Sequence, residues 1–269
     1  MVGQTSLFAA ARACLHSSSP GDKMALTRQA ALDYADGKLS VEHGDPVESI
    51  GDPGRPPKPT LVDARQLPRR GLGSVGGRAA LIHAVAHIEF NAINLAWDAV
   101  YRFRDMPVAY YAGWVAVASD EARHFGMVCE RLEALGFSYG DFDAHNGLWD
   151  MAVRTAGSCL ERMALVPRVL EARGLDVTPA MIERLSQVGD SESVALLEVI
   201  LDEEVAHVAA GTRRFHWCCD RAGVEPDTTF DQLIEKHLHG SVKGPFNVEA
   251  RLAAGFSHAE LERLMASAA

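Results

Sequence analysis

The chain has 269 residues, 48% hydrophobic and 23% charged, with a formal net charge of 26 − 36 = −10 when histidines are neutral. That is the composition of a globular chain long enough to bury roughly 70–75% of its unfolded surface without disulfides or metal staples, so wholesale disorder and collagen-like or low-complexity architectures are excluded. The acidic balance gives no electrostatic footprint for DNA or anionic lipid. Five cysteines without a CxxC pair make no disulfide framework and are expected to be reduced thiols serving as small apolar residues.

The N-terminal stretch MVGQTSLFAAARACLHSSSPGDK has no basic start and is interrupted by Arg12, which makes it a poor secretory leader. No apolar run approaches the ~20 residues that span a bilayer, so a cytoplasmic protein without membrane contact is expected. Two short helices are predicted over 5–16 and 22–36, the second capped by Asp22 and ended by Gly37. From 41 to 77 prolines and glycines dominate, and an extended arm with little to bury is expected there.

From Arg78 the pattern becomes helical. RAALIHAVAHIEFNAINLAWDAVYRF places Ile82, Val85, Ala86, Ile93, Ala96, Trp97 and Val100 at spacings of three and four. After a break at Asp105-Met106-Pro107, VAYYAGWVAVASDEARHFGMVCERLEALG predicts a second long helix stopped by Gly136. A turn-rich FSYGDFDAHNGLW leads to a third over about 147–173, ended by Gly174 and kinked at Pro167. A shorter helix is predicted to run on to Gly189, a fourth long helix over about 191–222, and short helices near 228–238 and 247–267. Alternating β patterns are absent. Four long amphipathic helices must cover each other's apolar stripes, so the expected fold is an all-α four-helix bundle over 78–225. An N-terminal appendage over 1–77 and a C-terminal extension over 226–269 complete the expected layout.

The chemistry sits on the faces that should be driest. Glu89 lies on the stripe of the first long helix, Glu121 and His124 on that of the second, and Glu204 and His207 on that of the fourth. An ionised carboxylate on a buried stripe is costly unless a cation or hydrogen bonds compensate it. Glu and His at i, i+3 stand about 60° apart and one turn displaced, so both can reach one cation. Two such pairs plus a lone Glu from each of two other helices make a carboxylate-bridged dinuclear iron or manganese centre in ferritin-like bundles. The lone glutamates here are Glu89 and Glu171. Glu89 precedes Glu121 by 121 − 89 = 32 residues and Glu171 precedes Glu204 by 204 − 171 = 33, one helix-turn-helix unit used twice. Asp120 and Glu203, at i, i+4 to His124 and His207, are placed to accept a proton from the free ring nitrogen of each histidine.

The segments SDEARHF, LDEEVAHV and AHIEFNAI resemble the ferritin-like di-iron carboxylate superfamily. More closely, HAVAHIEFNAINLAWDA, SDEARHFGMVCERLEALGFSYGDFDAHNGLW, ALVPRVLEARGLDVTP and HVAAGTRRF look like a bacterial ferritin-like family catalogued as domain of unknown function 455, over about residues 78–260. The resemblance implies a ferritin-like bundle and supports Glu89, Glu121, His124, Glu171, Glu204 and His207 as metal ligands. It implies no particular substrate.

The expected function is therefore an O₂-activating di-iron oxidoreductase, a hydroxylase or oxidase, using two Fe ions or Mn, a small-molecule substrate and an external electron donor. Metal storage, or a structural, partner-binding bundle without metal, are the alternatives from other classes. A likeness to tRNA-hydroxylating monooxygenases is opposed by the charge of −10. A homodimer would be unsurprising. His83 and His87 are expected to be hydrogen-bonded or partly exposed rather than ligating, His145 to line an entrance or cap the third helix, and Tyr101, Tyr110, Tyr111 and Trp114 to pack in the core. The KGPFN turn with Arg251 is expected to dock over the bundle.

Overall fold

The computed structural model describes residues 5–42, 46–239 and 242–267; positions 43–45 of the expected arm, and 1–4 and 268–269 at the ends of the expected layout, lie outside them. The protein is mostly helical, as the missing β alternation predicts, and its strands among the described residues are the two-residue pairs Thr5–Ser6 and Leu39–Ser40, joined in parallel. The fold separates into two compact units that divide between Val153 and Arg154.

The first unit holds α1 (Leu7–His16), α2 (Pro20–Ala35), α3 (Val75–Arg102), α4 (Val108–Ala134) and all but the last residue of α5 (Gly147–Arg154). Helix α2 starts two residues before its predicted position because Ser19, not Asp22, caps it: Ser19 Oγ accepts from Asp22 N at 3.2 Å and Pro20 occupies the first turn, where its missing N–H costs nothing. Helices α3 and α4 form the centre of the unit, with α1 packed on α3 and α2 on α4. Ser74 caps α3 by accepting from Gly77 N at 3.1 Å, and Gly136, at φ +82°, ends α4 where the sequence places the stop. With 28 residues, α3 is long and apolar enough to cross a membrane, contrary to the expectation that no such run exists; 78% of its most apolar window is buried inside the protein.

The arm departs from its expected loose course. Ile50, Pro53, Pro59 and Leu72 are buried, and backbone bonds secure it: Gly54 N donates to Leu15 O at 2.7 Å, Val62 N to Ala144 O at 2.9 Å, and Ala144 N to Thr60 O at 3.0 Å. Trp149 Nε1 adds a 2.6 Å bond to Gly51 O. Proline removes a donor but not an acceptor, so a proline-rich segment can still be held through its carbonyls and its remaining N–H groups.

The second unit holds α6 (Cys159–Leu165), a π-helical segment (Val166–Glu171), α7 (Ala172–Gln187), α8 (Ser191–Ala222), α9 (Pro226–Leu238), α10 (Val248–Ala253) and α11 (His258–Ser267). The predicted third helix is thus two pieces, α5 and α6, with Ser158 capping the second by accepting from Glu161 N at 3.2 Å. The expected kink at Pro167 takes the form of a π segment. The predicted break after Gly174 does not occur: α7 runs through both Gly174 and Pro179. Proline at 179 cannot donate to the carbonyl of Leu175, but Asn247 Nδ2 does so at 3.2 Å, and the helix continues. Helix α8 packs against α6, the π segment and α7. Asp190 caps it by accepting from Ser193 N at 3.1 Å.

Three arginines, two of them buried, hold the C-terminal part of this unit. Arg251 Nε and Nη2 form a two-pronged pair with Asp176 at 2.9 and 2.7 Å, while Arg173 Nη1 donates to Lys243 O at 2.8 Å and Pro245 O at 3.0 Å. The KGPFN turn therefore docks against α7, whose Arg173, Leu175 and Asp176 bond its backbone and the Asn247 side chain. Arg168 Nη2 bonds Glu260 Oε1 at 2.6 Å, with its guanidinium 4.2–4.6 Å from the ring centres of Phe215, Phe230 and Phe256.

Candidate metal centre

In the first unit the 3.6-residue period turns Glu89 of α3, and Glu121 and His124 of α4, into the dry interface between the two helices. Their relative exposures are 3%, 1% and 0%. His124 Nδ1 lies 3.3 Å from Glu89 Oε2 and 3.7 Å from Glu121 Oε2, and each of the three residues offers a ligand atom within 4.8 Å of the others. Burial alone would lower the His124 pKa. The adjacent Glu121 and Glu89 carboxylates overcome it and raise the group to about 10.

Two carboxylates and an imidazole in so dry a place require positive charge. It can come from a proton on His124 or from a metal ion that displaces that proton and takes the imidazole as a ligand. Oxygen and imidazole donors suit a divalent first-row transition ion, and none of the three residues is a thiolate that would select a softer one.

The second unit repeats the Glu-x-x-His pair on α8. His207 Nδ1 lies 3.4 Å from Glu204 Oε1, with the histidine side chain 3% and the glutamate 13% exposed. Glu171 is the last residue of the π segment and is half-buried. Asp120 is on the wet margin of α4, its side chain 43% exposed and 3.5 Å from Arg123, and Glu203 is half-buried on α8.

The remaining histidines have other roles. His83 is buried rather than partly exposed; its Nε2 accepts from Gly140 N at 2.9 Å, which assigns the proton to Nδ1. His87 is buried too, with Nδ1 2.9 Å from Tyr139 Oη and Nε2 3.1 Å from His145 O. Burial lowers both to about 4, so each is neutral near pH 7. His145 is exposed and its Nδ1 accepts from Gly147 N at 3.1 Å, the capping alternative. Tyr110 and Tyr111 are core residues, donating to Ala99 O at 3.1 Å and Phe103 O at 3.2 Å. Sequence reasoning passed over buried Lys23, whose Nζ donates to Cys14 O at 2.6 Å, Leu15 O at 3.2 Å and Asn94 Oδ1 at 2.7 Å. A lysine inside an otherwise mixed helix gives no sequence signal of such burial.

Fold and site together define a mostly helical protein with a buried glutamate–histidine cluster that could hold a metal ion. The chain belongs to the family described as "Protein of unknown function (DUF455)", whose model matches residues 16–262, and the resemblance read from the sequence is to that family. An "Uncharacterized protein" of Haemophilus influenzae (strain ATCC 51907 / DSM 11121 / KW20 / Rd) is 45% identical over 214 residues, covering 77% of this chain and 74% of the relative. No solved structure matches the chain.

Proposed function

We propose that the protein is a ferritin-like carboxylate metalloprotein that holds two Fe ions, or Mn, through Glu89, Glu121, His124, Glu171, Glu204 and His207, and that it acts as an O₂-activating oxidoreductase on a small organic substrate. The observation that carries this reading is the Glu89–Glu121–His124 cluster, three ionisable residues no more than 3% exposed with donor atoms within 4.8 Å. Support comes from the second Glu-x-x-His pair, with the same i, i+3 approach on α8, and from the 32- and 33-residue intervals that repeat the unit. The superfamily pattern supplies the count of two ions and the bundle architecture. Bound iron would supply the O₂ chemistry; the chain's part is to hold its ligands in a water-poor setting and to let His124 give up its proton as a cation arrives.

The test is metal content by elemental analysis after purification with ferrous iron supplied, alongside Glu121→Ala and His207→Ala. The reading requires about two equivalents of iron in the native chain and a marked loss in both variants. A native protein without metal, or a Glu121→Ala variant with unchanged content, would overturn it. Iron-loaded protein that consumes no O₂ with any reductant would leave storage or structural binding as the function.

A further inference from the structure

The second unit contains three of the five cysteines: Cys159, Cys218 and Cys219. Cys159 opens α6, and Cys218 lies near the end of α8, against which α6 packs. Cys159 is half-buried and Cys218 is 7% exposed; Pro167, eight residues after Cys159, lies against Gly211, seven residues before Cys218, so the antiparallel packing of the two helices brings Cys159 and Cys218 to the same level. Helix periodicity puts Arg214 (i−4) and Arg221 (i+3) on the same face of α8 as Cys218, and their charges act on its sulfur. Cys159 and the two guanidinium groups lower the Cys218 pKa, while burial opposes them. Its neighbour Cys219 is one helical step, about 100°, around α8. There burial raises the thiol to about 11 and keeps it protonated. Adjacent in sequence, the two cysteines have opposite chemistry because only one faces a second thiol and two cations.

We propose that Cys159 and Cys218 form a reversible disulfide, a modification site that responds to a small peroxide and ties the start of α6 to the end of α8. The balance is that of a two-electron oxidation. The Cys218 thiolate attacks a peroxide oxygen; an S–O bond forms, the O–O bond breaks, and the departing hydroxide leaves as water with a proton from solvent. The sulfur of Cys159 then attacks Cys218 Sγ, the S–S bond forms and the S–O bond breaks. The Cys159 proton goes to the leaving hydroxide, so one peroxide and two thiols become two waters and one disulfide. Two thiols at the same level of packed helices can be joined at the covalent sulfur–sulfur length of about 2.05 Å by side-chain rotation. Neither cysteine belongs to the proposed metal-ligand set, so this inference stands or falls separately from the metal reading.

The experiment treats the full-length native chain with hydrogen peroxide, blocks remaining thiols with iodoacetamide and maps disulfide-linked peptides by mass spectrometry without reduction. The expected result is loss of two of the five thiols, a Cys159–Cys218 linked peptide, and its disappearance on addition of dithiothreitol. In Cys159→Ser the same treatment should drive Cys218 irreversibly to sulfinic acid, because its partner is gone. A Cys218–Cys219 link, sulfinic acid on Cys218 of the native chain with Cys159 still free, or five thiols surviving peroxide would each overturn the proposal.

Discussion

Gly211→Ala inverts an ordinary expectation. In an exposed helix interior, alanine in place of glycine gains about 1 kcal/mol. Gly211, however, lies in α8 against the π segment. A Cβ built there would stand 2.2 Å from Cβ and 2.3 Å from Cγ of Pro167, while the Pro167 Cα is 3.7 Å away. Carbon atoms in contact sit about 3.5–4 Å apart, so one side must retreat by more than 1 Å. A proline ring has no rotamer by which to step aside; the backbone of the π segment would have to move. Overpacking of this kind costs about 1–3 kcal/mol, and a rigid ring and backbone put this case at the upper end, so after the propensity gain the net loss is about 1–2 kcal/mol. Gly113→Ala on α4, where no heavy atom lies within 4 Å of the new Cβ, should gain about 0.5–1 kcal/mol as the matched control. Urea unfolding followed by circular dichroism reads both. A Gly211→Ala protein as stable as the native chain would refute the argument from contact. Glu171 ends that same π segment, so on the proposed metal reading the variant should also take up less iron.

Arg251→Met leaves the buried Asp176 carboxylate without its two-pronged partner and should cost about 3–5 kcal/mol in urea unfolding; a change below 1 kcal/mol would show that the pair contributes little. Burial lowers Lys23 from 10.5 to about 7. Between those values the unfolded chain keeps a proton that the folded chain has released, so the penalty is fully present below pH 7 and relieved as pH rises, by up to about 1.4 kcal/mol per unit from this group. The native urea midpoint should rise from pH 7 to pH 9 relative to Lys23→Met, and parallel pH profiles would contradict this. On the proposed metal reading, stripping metal with a chelator should lower stability by about 2.7 kcal/mol relative to protein held in metal at one hundred times the dissociation constant. Glu121→Ala should show no such difference in a thermal melt.

The long helices were legible because periodicity and end signals agreed. Helix α4 has its apolar repeat between Pro107 and Gly136, and α3 and α8 are similarly consistent along their length. The stretch from 147 to 189 was misread because its punctuation is resolved by distant partners. Pro179 reads as a stop until Asn247, 68 residues later, is known to serve the Leu175 carbonyl. The break before α6 depends on a serine cap that composition does not distinguish from other serines. At the site, Glu89, Glu121 and His124 could be picked out because charge on an apolar stripe is a local contradiction visible in one dimension. Arg168 and Glu260 satisfy the same rule of paired burial, but they stand 92 residues apart, and no spacing announces them.

Pro179 and Asn247 also make a statement about inheritance. A proline that strands a carbonyl is harmless only while a donor elsewhere in the chain is retained, so neither position is free to drift by itself. Descendants that replace Asn247 with an aliphatic residue should be found to have shed the proline first, and grafting α7 alone into another scaffold would carry the defect without its remedy.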